Sequence, residues 1–341
     1  MRKLASIQRI VDLKPIENAD AIEVASVLGW HVVVKKGEHK IGDLVVYCEV
    51  DSVLPDREEF QFLADKKFRI KTVKLRGQVS QGICFPLSIL PESIEIKDED
   101  EDTDVTETLS IVKYEPNSPA YLSGEAKGSF PDFVPKTDET RVQTLQKVLT
   151  KYAGTDCYVT EKVDGSSVTI YLKDDEFGVC SRNINLKETE GNAFWSTVRT
   201  LDIENKMRST FKTNIALQGE LVGPGVQNNK LNLKNKTILL FNVFYIDEFK
   251  YSDYADFVHF IEVLGLTTVP IINTNYALDS SIDNIVTYAT RKSVLNKDIW
   301  AEGIVIRPKV EHLELLLSSQ KFNNGRVSFK CINPEFELKY S

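Results

Sequence analysis

An α+β chain built from two sheet-rich domains is what the sequence predicts, on three observations. The first ninety residues break into short apolar segments set apart by turn signals. Strand-like segments dominate again from Asp156 onward, and helical spacing appears in only a few places. With 341 residues, 42% hydrophobic and 27% charged, the chain can bury two cores and is too apolar for wholesale disorder.

The front segments are Ala21–Trp30, His31–Lys35, Leu44–Val50, Ile70–Leu75 and Ile83–Leu87, separated by KKGEHKIGD, DSVLPD and RGQVSQG. Short β segments at this spacing predict a small barrel over residues 1–110. Their order fits an OB-like barrel, an architecture that commonly binds oligonucleotides. A β domain that only packs or positions its neighbour is the alternative. Lys35, Lys36, Lys40, Lys71, Lys74 and Arg76 fall in its turns and strands, where they either neutralise phosphates or simply solvate a β surface.

Net charge is −8, which by itself argues against a nucleic-acid partner. Residues 92–107 carry nine acids and one lysine, which accounts for the whole excess. Like charges that close repel and read as a solvated loop or mobile linker. A Pro- and Ser-containing linker is expected over 111–134, and a second domain over 135–341. Val142, Leu145, Val148 and Leu149 space Arg141–Thr150 as a helix, with further helical patterns near Ala193–Thr200 and Tyr254–Leu264.

The five cysteines are scattered without a CxxC pair, which predicts reduced thiols and no zinc site. His31, His39, His259 and His312 show no metal-ligand spacing. Arg2-Lys3 is not followed by the apolar run of a secretory signal, and no stretch approaches the roughly 18 apolar residues of a membrane span. An intracellular protein, cytoplasmic or nuclear and with no membrane partner, is expected.

The residues that carry chemistry begin at Lys162-Val163-Asp164-Gly165, between strand-like Cys157–Thr160 and Ser167–Leu172. Alone, a K-x-D-G match arises by chance in about one chain in ten of this length and reads as a turn with an exposed lysine. The order of the downstream segments is informative: Ser181-Arg182-Asn183, Gly219-Glu220-Leu221-Val222-Gly223, Phe241-Asn242-Val243-Phe244, Glu302-Gly303-Ile304-Val305-Ile306-Arg307, and Ser328-Phe329-Lys330. This order, over residues 135–332, resembles the covalent nucleotidyltransferase superfamily of polynucleotide ligases and capping enzymes. The SRN tripeptide and PKTDETRVQ (Pro135–Gln143) make it most similar to the RNA ligase 2 group. Ile16–Ser52 resembles the OB domain at the front of Naegleria-type RNA ligases.

The resemblance implies an OB-like barrel followed by a nucleotidyltransferase (ATP-grasp-like) domain of antiparallel sheets flanked by helices. It implies an ATP-dependent RNA ligase that uses Mg2+ or Mn2+ and joins 3′-OH and 5′-phosphate ends of a nicked RNA duplex, as a monomer. Lys162 is then the nucleophile that takes AMP. A lysine of pKa about 10.4 is protonated at neutral pH and cannot attack until neighbours or a cation favour the neutral amine. Asp164, Glu220 and Glu302 are the carboxylates expected to hold the metal ion or its hydration shell.

The implied ATP site comprises Glu161, Lys162, Ser166, Arg182, Glu220, Phe244, Glu302 and Lys330. Phe244, or Phe241, would stack on adenine, and Lys330 would reach the α-phosphate. Ser328 stands where the family commonly has a further lysine; Arg326 or Lys321 are the candidate substitutes, and Arg141 is a further auxiliary candidate. A capping enzyme or classical DNA ligase would place its OB domain after the last strand, where only Cys331–Ser341 remains. A non-catalytic RNA-binding protein on the same fold has no use for the lysine and three carboxylates. The front domain is expected to clamp the duplex, with the catalytic domain alone still forming lysyl–AMP.

Overall fold

The computed structural model describes residues 3–115, 125–314 and 325–340. The front domain is a five-stranded antiparallel sheet centred on Ala5–Pro15, flanked by Ile22–Val27 and Leu44–Cys48, with Trp30–Lys35 and Ile83–Phe85 outermost. The Gln81 N–H donates to the His31 carbonyl at 2.8 Å, bringing the two edges together into a nearly closed barrel. Ile7, Ile10, Trp30, Tyr47, Phe60 and Leu109 fill its core. The central strand escapes a period-2 reading because a register shift between Ile10 and Asp12 breaks its alternation.

The acidic run departs from the expected free loop. Its later half lies along the central strand, with Asp102 N–H donating to the Ile7 carbonyl (2.7 Å) and Val105 N–H to that of Ala5 (3.0 Å). Lys3 pairs with Asp102 and Arg9 with Glu101 and Asp98, while Val105 is buried. Apolar anchoring and basic neighbours on the adjacent strand outweigh the self-repulsion. The linker is also partly structured, since Ala126–Ser129 forms a strand against Ile184–Leu186.

Two sheets make the second domain. The larger runs Ala126–Ser129, Ile184–Leu186, Glu176–Cys180, Ser166–Lys173, Ile215–Val222, Thr237–Tyr245, Lys250–Tyr251, with Thr267–Thr268 alongside Thr237–Tyr245. Helices Ala193–Thr200, Ile203–Thr210 and Tyr254–Val263 share its core through Phe194, Val198, Met207, Phe257 and Ile261. The first of them starts where Asn192 Oδ1 accepts from the N–H groups of Phe194 and Trp195. The smaller sheet runs Thr140–Arg141, Phe329–Ile332, Gly303–Pro308, Asp156–Lys162, Ile271–Ala277, over Gln146–Lys151 and Ile282–Ala289. The helix expected over Arg141–Thr150 is thus confined to Gln146–Lys151; Thr140–Arg141 pairs with Phe329–Lys330 and Val142–Thr144 forms a 3-10 turn.

Barrel and catalytic domain meet through buried polar groups. The Glu337 carboxylate, on the helix Pro334–Tyr340, accepts hydrogen bonds from the Thr72 hydroxyl, Gln81 Nε2 (2.8 Å) and Arg141 Nη1 (3.0 Å). Arg141 also lies 3.7 Å from Asp51, and Gly29 N–H donates to the Gln143 carbonyl at 2.9 Å. Among the described residues no helix is long and apolar enough to cross a membrane.

Candidate active site

Lys162 ends the strand Asp156–Lys162 in the smaller sheet, and Ser166 opens the next strand in the larger one. The turn Val163-Asp164-Gly165 therefore carries the chain from one sheet to the other, at the head of the cleft between them. Gly165 is required there because a Cβ would meet the Leu221 carbonyl oxygen at 2.4 Å. Lys162 pairs in register with Gly303, so Glu302 falls beside it, and Lys162 Nζ lies 2.6 Å from Glu302 Oε1. A Cβ on Gly303 would meet the Cys331 carbonyl oxygen at 2.1 Å, which holds the E-G pair to glycine at its second position. Glu220 sits opposite Ser167 in the larger sheet, and Lys330 opposite Val305 in the smaller.

These groups feel one another. Burial pulls the Lys162 ammonium toward deprotonation, but Glu302, Glu220 and Asp164 outweigh it and hold its pKa above the ordinary range. Burial, with Glu302 and Asp164 nearby, pushes the Glu220 carboxyl up to about 8 against the pull of Lys162. Glu302 is raised too, by burial first and then Asp164, against Lys162 and Lys330. Three carboxyl groups gathered beside Lys162 supply the oxygen donors that a divalent cation takes. Among the described residues no three acid, His or Cys side chains converge tightly enough to ligate an ion directly. The donor type present, carboxylate oxygen, suits a magnesium-like ion.

Lys162, Asp164, Ser166, Arg182, Glu220, Glu302 and Lys330 all line one cleft. Arg182 is half-exposed and paired with Asp138 at 2.6 Å. Glu161 also borders the cleft, but its carboxylate is buried and accepts from Ser293 Oγ (2.5 Å) and Val294 N–H (2.7 Å), which fixes the segment after Arg291. Burial raises its pKa against those two hydrogen bonds.

Phe244 corrects the sequence reading. It is 1% exposed, packed edge-on against Phe249 and Tyr251, and does not border the cleft; Phe241, three residues earlier, does. The strand register explains this: a bulge at Phe241, between Leu240 and Asn242, interrupts the alternation, and Phe244 lies farther along the strand, opposite Ala216 and packed with Tyr171 and Tyr251. Arg326 likewise does not border the cleft. It is buried against Glu311, donates to Asn242 Oδ1 at 2.9 Å, and its guanidinium covers Tyr251 at 3.8 Å. Arg141 borders the cleft but is 9% exposed and committed to Glu337 and Asp51. Lys321 lies outside the described residues. Ser328 is fully buried, near Glu139.

The structure explains PKTDETRVQ, whose role spacing alone does not reveal. Pro135 accepts from Gln218 Nε2 (2.7 Å), Thr137 meets Ser167 Oγ (2.6 Å), Asp138 pairs with Arg182, and Glu139 with the buried Arg307 at 2.8 Å. One segment thus ties together SRN, the strand after KVDG, and EGIVIR. Lys230, which lines the cleft, and Asn333, buried beside the Glu302 backbone, escape the sequence reading. Lys230 Nζ lies 2.8 Å from Asp164 Oδ2, and Asn333 N–H donates to the Glu302 carbonyl at 2.9 Å. Neither sits in a recognisable motif.

Both domains are similar to known proteins. A family model described as an OB-fold domain matches residues 4–87, and one described as RNA ligase matches residues 155–332. No curated protein matches. A solved double mutant of Naegleria gruberi RNA ligase, in the apo form, is 35% identical with a TM-score of 0.87, covering 99% of this chain and 98% of that one. A point mutant of it, with ATP and Mn, is 35% identical at TM-score 0.87 and 98% coverage of both chains. The Naegleria gruberi enzyme with PPi is 36% identical at TM-score 0.86 and 98% coverage of both. With half of its length matched by the RNA ligase model and nearly all of it superposing on one solved RNA ligase, the chain belongs to the RNA ligase family.

Proposed function

We propose that the protein is an ATP-dependent RNA ligase that joins 3′-hydroxyl and 5′-phosphate ends in a nicked duplex, as a monomer, through lysyl–AMP on Lys162. The observation that carries this reading is the Lys162–Glu302 ion pair at 2.6 Å, with Asp164, Glu220 and Lys330 along the same cleft. The complexes of the related Naegleria enzyme with ATP and Mn support ATP as the nucleotide and Mn2+, or by the same chemistry Mg2+, as the cation.

In the first step the neutral Lys162 amine attacks the α-phosphorus of ATP. An N–P bond forms, the bond to pyrophosphate breaks, and the amine proton passes to Glu302 or solvent. Asp164, Glu220 and Glu302 would hold the divalent cation, which when bound would neutralise charge on the α-phosphate and favour the neutral amine. Lys330 supplies positive charge from the neighbouring strand, and Phe241 offers a flat apolar face for adenine. In the second step a 5′-phosphate oxygen of the RNA displaces Lys162 from the AMP phosphorus, giving a 5′–5′ pyrophosphate linkage. In the third the 3′-hydroxyl attacks the RNA phosphorus and AMP leaves.

Incubation with α-phosphate-labelled ATP and Mn2+ should give an acid-labile label on the protein. Unlabelled ends should then be joined in a nicked duplex, tested with each strand as RNA or DNA. Absence of the adduct sinks the reading in favour of a binding protein on the same fold.

A further inference from the structure

We propose that Lys230 is a positioning residue that holds Asp164 and competes with the divalent cation for that carboxylate. The proposal rests on the ligase reading above, and it concerns a side chain outside every motif of the family resemblance.

Lys230 Nζ lies 2.8 Å from Asp164 Oδ2, and the two side chains are only 21% and 17% exposed. The lysine is delivered by a built loop. Gln227, Asn228, Asn229 and Asn232 all have positive φ, between 43° and 59°. Four such residues within six positions are a conformation that tertiary structure must enforce. Asn229 clamps the loop from both sides, its Nδ2 donating to the Leu233 carbonyl at 2.9 Å and its Oδ1 accepting from Leu233 N–H at 3.0 Å. Leu231 is buried with Val163, the residue between Lys162 and Asp164, and its carbonyl accepts from Asn296 Nδ2 at 3.0 Å. The backbone on either side of Lys230 is thereby locked to the same turn that holds Asp164.

An ammonium in contact with a carboxylate neutralises it. A divalent cation that needs this carboxylate for its water shell meets a repelling positive charge a few ångströms away. Lys230 thus keeps Asp164 ordered before the cation arrives and raises the concentration at which the cation binds alone. When the cation comes with ATP, the nucleotide's phosphates can receive the displaced ammonium, so metal and nucleotide load together. A purely structural Lys230 would affect folding and leave the metal's affinity where it was.

The test is Mn2+ titration of nucleotide-free protein, read by water-proton relaxation, on wild type, Lys230→Met and Lys230→Arg, with thermal melts as a check of folding. Lys230→Met should lower the half-saturating Mn2+ concentration about tenfold, in keeping with removal of a near charge at the cleft's intermediate dielectric. Lys230→Arg should behave as wild type. In an Asp164→Asn background the Lys230→Met effect should vanish, because the two act as one unit. Unchanged or weaker Mn2+ binding in a folded Lys230→Met protein overturns the proposal, as does an undiminished effect in the Asp164→Asn background. Failure of wild type to bind Mn2+ also overturns it. Failure to form lysyl–AMP while the Mn2+ differences persist overturns the ligase reading instead.

Discussion

Lys162 Nζ and Glu302 Oε1 are 2.6 Å apart, so the amine expected to attack ATP begins as one half of an ion pair. Replacing it tests the assignment directly. Lys162→Met keeps the length of the side chain without the amine, and should give no labelled protein with α-phosphate-labelled ATP. The same variant should still seal RNA supplied with a pre-adenylylated 5′ end, because that step forms no new bond to lysine. A labelled Lys162→Met protein would place the nucleophile elsewhere.

The carboxylates should separate from the lysine in that assay. Asp164→Ala and Glu302→Ala should slow both adduct formation and sealing of pre-adenylylated RNA, by at least about tenfold each, since a shared cation serves both. Normal sealing of pre-adenylylated RNA by both variants would show that they do not hold that ion.

Glu220 carries a stability cost with a definite sign. Its folded pKa of about 8 lies above its ordinary value of 4.5, because burial and two carboxylate neighbours disfavour the charged form. The unfolded chain therefore releases this proton first as pH rises. The stability associated with it is complete below about pH 4.5, declines above that, and is lost as pH rises through about 8. Glu220→Gln should be more stable than wild type at pH 8 by about 1–3 kcal/mol, after discounting for partial exposure. The two should differ little at pH 4.5, as read by denaturant titration, and the variant should adenylylate poorly. Equal stability at pH 8 would mean that the carboxyl ionises without penalty.

Much of the site is legible in the sequence because covalent chemistry demands particular residue types in a fixed order along strands. KVDG, GELVG and EGIVIR each end or begin a strand at the cleft, so their order in sequence translates directly into neighbours in space. The barrel is legible from turn spacing, except for its central strand, whose bulge hides the alternation. Lys230 and Asn333 are not legible, because each acts through one tertiary contact that no local pattern announces. The acidic run misleads for a related reason. Its charges predict repulsion, while Lys3 and Arg9, more than eighty residues away in sequence, neutralise part of it.

Phe241 and Phe244 should part on two measurements. Phe241→Ala should raise KM for ATP severalfold while leaving stability nearly intact, because the ring borders the cleft and is only partly buried. Phe244→Ala should cost roughly 3–5 kcal/mol of stability through the cavity it leaves among Tyr171, Phe249 and Tyr251. Loss of ATP binding in a fully stable Phe244→Ala protein would return the stacking role to that residue.

The sequence predicts that the front barrel leaves lysyl–AMP formation untouched, and the buried contacts argue for a closer dependence. Glu337 is held by Thr72 and Gln81 of the barrel and by Arg141 of the catalytic domain. Four residues before it, Asn333 N–H donates to the Glu302 carbonyl, while its side chain donates to the carbonyls of Ala301 and Arg291. Arg141 pairs in register with Lys330. Barrel, terminal helix and two cleft residues therefore share one network, and removing the barrel would leave Arg141 and Glu337 short of partners at a newly exposed surface. In the full chain, Glu337→Ala should cost about 2–4 kcal/mol of stability and slow adenylylation. Thr72→Val with Gln81→Leu, which removes only barrel donors, should slow adenylylation less and in the same direction. A fragment of residues 132–341 should then form lysyl–AMP more slowly than the full chain at equal ATP and Mn2+. Equal single-turnover adenylylation by the fragment would show that the barrel serves RNA alone.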